Sequence, residues 1–409
     1  MSTTPQRTLS NAEELRAALL IYGASFGYMI ALGMVLILVP LYALALDYDL
    51  GTVGIIVASQ AVFGLALRLF AGAIADRFGE RWILWASFGT IASGAVVFAI
   101  SGAFWAMIAA QFLLGVSRTM YWTATQSYSS RINQTRAGVH LGRSNSAGNA
   151  GQMVGLFLGG VLAGTAGYGT AFTVMAGVAA VGLAGSLVLP PLPRKLVVRG
   201  FKQSLAPVPG LARSKGMGMA GFAAFAASTS IAFTAILIVP YLKELDFDES
   251  LIGTTQTFMA IGSVLMGVMF GRVLSRLGQQ RIYLIAYIAQ GLTLIGIAAS
   301  GDALWLIAIA MFAYGVFHGA MGIVYTVTAS THSDPEQRGM AMAYVGLYWG
   351  VAHTVMPVAF GVIAATWSLN TSLWIGGAIF IAAGLTIPVV FPFLTHGREL
   401  PVEAATERA

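Results

Sequence analysis

The sequence is dominated by apolar stretches that are long enough to cross a lipid bilayer as helices. A membrane-spanning helix needs about 20 predominantly apolar residues. Twelve stretches reach this length, roughly 17–45, 52–75, 83–103, 104–127, 140–164, 168–190, 217–243, 251–275, 282–300, 303–329, 340–366 and 371–394. The first exceeds the apolar core of a signal peptide, so we expect it to be retained as a helix. The pattern predicts an all-α membrane protein with twelve transmembrane helices.

The composition excludes several classes of protein. Apolar residues make up 57% of the chain and charged residues only 9%, whereas about 25% of an ordinary soluble domain is charged. This excludes a soluble enzyme, a disordered chain and a nucleic-acid-binding protein. The absence of cysteine excludes disulfides and thiolate chemistry. The sequence carries no phosphate-binding loop and no hydrolase motif, so we predict no enzyme activity, no cofactor and no bound metal.

Lys and Arg are unevenly distributed among the segments that link the apolar stretches. If the N-terminus is cytoplasmic, 19 of the 22 basic residues fall in cytoplasmic segments or at the cytoplasmic ends of spans, and only Lys243 falls at the outer side. The other two, Arg68 and Arg118, lie within predicted spans. Because cytoplasmic loops collect basic residues, we predict a multi-pass protein of the cell (inner) membrane with both termini in the cytoplasm.

The chain also repeats itself at an offset of about 200 residues. The matched pairs are 37–42 with 237–242, 47–49 with 246–248, 72–82 with 271–281, and 115–116 with 315–316. Repeats at a fixed offset are typical of duplicated architectures. We therefore predict an N-terminal six-helix bundle over 1–190, a Pro-rich basic cytoplasmic linker over 191–216, and a C-terminal six-helix bundle over 217–409.

The loop between the second and third spans has the pattern G-x3-D-R-x-G-x-R, formed by Gly72, Asp76, Arg77, Gly79 and Arg81. This loop, together with the two parallel six-helix halves, resembles the major facilitator superfamily, in particular its drug and metabolite exporters. The resemblance covers the whole chain and implies a solute site near the membrane midplane. It also implies that the five loop residues act as a conformational latch. The alternative is a solvated turn whose arginines only set topology.

Arg118 lies in the middle of the fourth span, where a charge costs at least about 2.5–3.5 kcal/mol. Such a residue has to face water, a solute or a partner. Tyr121 and Trp122 share its helix face at i+3 and i+4, and Gln111 lies seven residues earlier. We predict that these four residues bind the solute. The alternative is a structural charge that backbone carbonyls satisfy.

The C-terminal half supplies three further candidates. His318 is the repeat mate of Arg118, and Tyr348 belongs to an aromatic stripe in the eleventh span. We predict that both contact the solute. His318 and His353 are candidate proton carriers, because histidine titrates near neutral pH; a hydrogen-bonded core role is the alternative for each. His140 and His332 lie near cytoplasmic helix ends and are predicted to be surface residues.

No Asp or Glu lies in the middle of a predicted span, which argues against a strictly cation-selective exporter. The predicted partners are therefore a neutral or anionic small solute and the lipid bilayer, with no nucleic acid, and the protein is predicted to be a monomer. We expect a secondary active transporter that moves a small organic solute by alternating access, with efflux as the favoured direction and proton coupling as a candidate mechanism. Two alternatives stay open: an importer or facilitator of an organic anion, and a non-transporting receptor or assembly factor on the same scaffold.

Overall fold

The computed structural model describes residues 10–133, 136–192, 208–333 and 338–395. Within these ranges the side chains of 66, 68–78, 137, 138, 338 and 339 are outside the description. The described chain is helical throughout its apolar stretches, as predicted from the sequence.

The long helices follow one another with short connections. They are α1 (Asn11–Ala45), α2 (Leu50–Phe78), α3 (Glu80–Ile100), α4 (Phe104–Ile132), α5 (Ala137–Ala166), α6 (Tyr168–Leu187), α7 (Lys215–Glu244), α8 (Glu249–Ala299), α9 (Leu304–Thr331), α10 (Arg338–Thr366) and α11 (Leu369–Thr395). Gly278, with φ 73°, interrupts α8, which therefore contains the eighth and ninth predicted spans as two arms. A short helix, Val208–Arg213, precedes α7.

Apolar length makes this a multi-pass membrane protein. Among the described residues, eight helices are each long and apolar enough to cross a bilayer, with α8 counted once. One departure from regular helix was not predicted. Residues Thr234–Ile238 of α7 form a π-helical turn, which widens the helix locally and is often found at functional sites.

Polar side chains fix where the helices begin. At the start of α1 the Ser10 hydroxyl accepts from the Glu13 amide, while the Glu13 carboxylate accepts from the Ser10 amide. This reciprocal capping box satisfies two backbone donors that the first turn of a helix leaves unpaired. Asp49 caps α2 by accepting from the Thr52 amide. Asp248 caps α8 in the same way through the Leu251 amide.

The turns that precede α2 and α8 have matching backbone conformations. Asp47 and Asp246 both adopt the left-handed region, with φ 60° and 61°. Gly79 and Gly278, the matched glycines of the second loop, also have positive φ, 92° and 73°. The internal repeat seen in the sequence therefore extends to individual backbone torsions.

Replacing Asp47 or Asp246 by Gly should raise the melting temperature or leave it unchanged, because Gly adopts positive φ at no steric cost. Valine at the same position should be less stable than glycine by about 1–2 kcal/mol, the cost of left-handed backbone for an L-residue. Thermal unfolding of the purified variants measures both effects. Equal melting temperatures for the Gly and Val variants would contradict the observed torsions.

The chain divides into two compact units. The first comprises 1–38 and 63–201, and the second comprises 39–62 and 202–409. These units differ from the predicted domains in segment 39–62. Glycines explain its packing, since Gly54 of α2 lies against the Pro357 carbonyl and Gly361 of α10 lies against the Leu50 carbonyl. The predicted boundaries at 190 and 217 stay a prediction.

In the first unit, glycines bring α5 into direct backbone contact with α1. A Cβ atom added at Gly151 would collide with the Phe26 carbonyl oxygen, and one at Gly155 would collide with the Ile30 carbonyl oxygen. These glycines are spaced four residues apart, so they lie on one face of α5. Close approach through small residues is the usual way in which helices associate in lipid. Backbone contact therefore fixes the position of α5 against α1.

The second unit uses the same device between α9 and the first arm of α8. A Cβ atom at Gly315 would collide with the Met259 carbonyl oxygen, and one at Gly319 would lie 2.9 Å from the Ser263 carbonyl oxygen. Gly262 approaches the backbone of Phe312 from the opposite side. Both units therefore hold their polar residues on helices whose relative positions are set by backbone contact.

Candidate functional site

In the first unit, a polar cluster forms where α1, α3 and α4 meet. The Ser117 hydroxyl donates to the Ser87 carbonyl at 2.7 Å, so the Tyr28 hydroxyl donates to Ser117, also at 2.7 Å. Arg118, next to Ser117, is partly exposed and acts electrostatically on the Tyr28 hydroxyl. The guanidinium therefore lies within electrostatic range of α1 and retains solvent-accessible surface in the described chain.

Two aromatic residues follow this arginine at helical spacing on α4. Tyr121 stacks on Tyr28 with ring centroids 3.8 Å apart and planes at 3°, and it is 2% exposed. Trp122 meets Tyr121 edge to face at 5.6 Å and is partly exposed. Gln111 is buried two helical turns earlier on α4. Of the four predicted residues in this unit, Arg118 and Trp122 have accessible surface, whereas Tyr121 and Gln111 are packed in the core.

In the second unit, the Ser230 hydroxyl is the centre of a hydrogen-bonded cluster. Gln290, from the second arm of α8, donates its amide to the Ser230 hydroxyl at 2.7 Å. Tyr314 of α9 donates to the Ser230 carbonyl at 2.6 Å. His318 of α9 places Nδ1 3.1 Å from the same Ser230 hydroxyl. The cluster joins α7, α8 and α9, and His318 is its partly exposed member.

One atom of this cluster lacks a partner. The Oε1 acceptor of Gln290 is buried and has no hydrogen-bond partner among the described residues. Buried acceptors are normally satisfied by protein, water or ligand. This acceptor can therefore take one further donor hydrogen, from a protein group or a water molecule.

The two remaining candidates lie on α10. His353 is 3% exposed; it stacks on Trp349 at 4.7 Å and lies 3.5 Å from the Ser228 hydroxyl, long for a hydrogen bond. Tyr348 is partly exposed, and its hydroxyl lies 3.0 Å from that of Tyr344. Tyr348 thus retains surface for a solute, whereas His353 is enclosed within the unit.

The predicted latch falls mostly outside the described side chains, namely at Gly72, Asp76 and Arg77. Gly79 makes the positive-φ turn before α3. Arg81 lies over the Trp85 ring at 5.0 Å and reaches the Leu187 carbonyl at 3.4 Å. Arg81 therefore contacts groups of its own unit, and the latch role of the loop stays a prediction.

Sequence reasoning missed three residues and misplaced another. Ser230 and Gln290 were not predicted, although each is a polar residue inside an apolar span. Tyr28 was not predicted either. His140 was predicted at the surface, but it is 4% exposed. That prediction is wrong because α1 covers the ring, with Glu14 and Tyr22 on its two nitrogens.

Comparison with known proteins agrees with this architecture. The sequence profile of the Major Facilitator Superfamily matches residues 21–237 and again 219–408. The chain therefore belongs to the Major Facilitator Superfamily, a family of membrane transporters.

Two solved structures share the fold. One is a point mutant of the nucleoside transporter NupG, with a TM-score of 0.81 and 15% identity, covering 92% of this chain and 100% of that one. The other is the nucleoside transporter NupG itself, with a TM-score of 0.78 and 16% identity, covering 93% and 99%. At this identity the likeness concerns the fold alone.

Proposed function

We propose that the chain is a secondary transporter of a small neutral polar solute that carries a flat ring, and that nucleosides are the class to test first. The observation that carries this proposal is that Arg118 and Trp122, four residues apart on α4, are both partly exposed, and that Trp122 borders the buried Tyr28–Tyr121 stack. An indole face binds a flat ring, and a guanidinium donates hydrogen bonds to carbonyl or hydroxyl oxygens. Tyr121 and Gln111 position these groups from the core.

The second unit supports the same class of solute. His318 and Tyr348 are partly exposed and offer hydrogen bonds. Gln290 adds the buried acceptor that has no partner among the described residues. These groups suit hydroxyls and ring nitrogens rather than a cation, because no carboxylate lies mid-span. The solved neighbours of the same fold are nucleoside transporters.

A second candidate solute is an organic anion. Arg118 favours it, because a guanidinium binds a carboxylate through two parallel hydrogen bonds. In this case Arg118 neutralises the solute charge, and the aromatic rings pack against its apolar part.

Direction, topology and assembly are proposals as well. We propose export as the favoured direction, because the run from Arg68 to Arg77 resembles that of exporters. We propose cytoplasmic termini and a cell (inner) membrane location, because the basic residues collect in the loops on one side. We also propose a monomer. Inside-out vesicles with an imposed proton gradient test direction and coupling together. Solute accumulation in such vesicles corresponds to export.

A thermal-shift panel tests the solute class. We expect uridine and adenosine to raise the melting temperature of the purified protein, because a ligand at 100 times its Kd stabilises the folded state by about 2.7 kcal/mol. Trp122→Leu should lose this shift. The matched control, Trp105→Leu, replaces a 77% exposed tryptophan on the same helix and should keep it. A shift with benzoate alone would select the anion, and one with tetraphenylphosphonium alone would refute both candidates.

A further inference from the structure

A partly buried charged cluster at the beginning of α1 is not used by the proposed solute site. The Glu14 carboxylate accepts from Asn133 Nδ2 at 2.9 Å and lies 3.2 Å from His140 Nε2. The Tyr22 hydroxyl lies 2.7 Å from the other ring nitrogen, His140 Nδ1. The histidine side chain is 6% exposed and the Glu14 side chain 16%. The three side chains form a row that links α1 to α5.

The hydrogen atoms of this row can be assigned from chemistry. An ionised carboxylate only accepts, so His140 Nε2 carries the hydrogen that points to Glu14. A neutral imidazole has one N–H, so Nδ1 is an acceptor and Tyr22 donates to it. Arg143 acts electrostatically on the Tyr22 hydroxyl. The two donors of the row therefore point the same way, from Tyr22 through His140 to Glu14.

Adding a proton to His140 changes the direction of the hydrogen bond between His140 and Tyr22. The imidazolium donates from both nitrogens, so Nδ1–H has to donate to Tyr22, and the phenol hydrogen has to turn away. The Tyr22 oxygen then accepts from the imidazolium and also lies within electrostatic range of Arg143. The contact with Glu14 becomes an ion pair. One proton therefore strengthens the Glu14 contact and weakens the Tyr22 contact.

The surroundings of His140 contain charges of both signs. From α1 it faces Glu14 and Tyr22; from the end of α4 it faces Asn133, which is neutral. Its own helix contributes Arg143, through Tyr22, and the N-cap of that helix contributes Arg136, 4.0 Å from the Glu14 carboxylate. One carboxylate is thus opposed by two arginines.

The row continues along the interface between α1 and α5 toward the solute site. The Ser25 and Ser144 hydroxyls lie 2.8 Å apart, and a Cβ atom added at Gly148 of α5 would lie 3.9 Å from the Tyr121 hydroxyl. Beyond them, α5 touches the α1 backbone at Gly151. A change in the Tyr22 contact therefore acts on the helix pair that positions Tyr28 and Tyr121.

We propose that Glu14, His140 and Tyr22 form a proton-binding site, and that proton occupancy of His140 controls the rate of transport through the contact between α1 and α5. The transport part of this inference rests on the proposed function, whereas the proton site itself does not. The sequence-based candidates for proton binding were His318 and His353, which lie in the second unit.

NMR of protein labelled with ¹⁵N-histidine tests the proton site without any transport. We expect the His140 signal, assigned as the one missing in His140→Gln, to show the Nε2–H tautomer at high pH. Both nitrogens should be protonated on acidification. A His140 that stays neutral down to pH 5, or whose neutral form carries its hydrogen on Nδ1, overturns the proposal.

Transport at equal pH on both sides of a liposome tests the control of rate. We expect the rate to depend on pH, up to about tenfold per pH unit for a single controlling proton, with the midpoint found by NMR. His140→Gln, which can still donate to Glu14 and accept from Tyr22, should remove this dependence. The control is His332→Gln, because His332 lies in the second unit, bonds to the Thr328 carbonyl of its own helix and takes no part in the row; it should keep the wild-type profile. A His140→Gln protein with the wild-type pH profile overturns the proposal.

Discussion

Arg118→Ala should abolish solute transport while the protein stays folded and inserted. Hydrogen bonds to a charged group contribute about 1.5–3 kcal/mol, so the variant should bind the solute between tenfold and a few hundredfold more weakly. The variant should keep a melting temperature close to that of the wild type, because Arg118 is partly exposed. Thermal unfolding and transport in liposomes measure the two effects on the same preparation.

The combination of the two readouts separates function from structure. If Arg118 serves only to tie α4 to its neighbours, the alanine variant loses stability, and any loss of transport follows from unfolding. The matched control is Arg213→Ala, which removes an exposed arginine of the short helix Val208–Arg213 and should change neither readout. Full transport by Arg118→Ala would remove Arg118 from the site.

Gly155→Ala should destabilise the protein severely through a single added methyl group. The new Cβ would collide with the Ile30 carbonyl oxygen and lie 3.0 Å from the Gly33 Cα atom. Both are backbone atoms that cannot rotate away, so the two helices have to separate. We expect a loss of about 3 kcal/mol or more, at the upper end of overpacking costs. The melting temperature of the purified protein measures the loss.

Gly177→Ala is the matched control for this substitution. Gly177 lies in α6, and an added Cβ would meet nothing within 4 Å. Alanine is favoured over glycine in a helix interior by about 0.5–1 kcal/mol, so this variant should be slightly more stable than the wild type. Gly155→Ala is therefore expected to lower the melting temperature and Gly177→Ala to raise it. Equal melting temperatures would contradict the close packing of α1 and α5.

The fold was predictable because lipid demands long apolar helices and the chain repeats its turns. All twelve predicted spans fall on helices, and the paired aspartates and glycines have matching torsions. The π-helical turn in α7 was not predicted. Its position depends on how α7 packs against its neighbours, and hydropathy does not encode that packing.

The sites were less predictable, because residues on one helix face do not share one environment. Tyr121 and Trp122 both follow Arg118 at helical spacing, yet Tyr121 stacks on Tyr28 and only Trp122 keeps accessible surface. Gln290 and Ser230 are far apart in sequence and meet only because α8 packs against α7. His140 lies near a helix end, which suggested the surface, but α1 covers it.

Solute counterflow in liposomes is the most direct test of the central claim, that this chain carries a neutral ring-containing solute by alternating access. Liposomes are loaded with unlabelled nucleoside and diluted into a trace of labelled nucleoside, so neither direction nor coupling has to be known. We expect the label to rise transiently above its equilibrium level with wild-type protein and to equilibrate passively with Arg118→Ala. Folded wild-type protein that gives no overshoot with any nucleoside would contradict the account and favour a different solute or a non-transporting role.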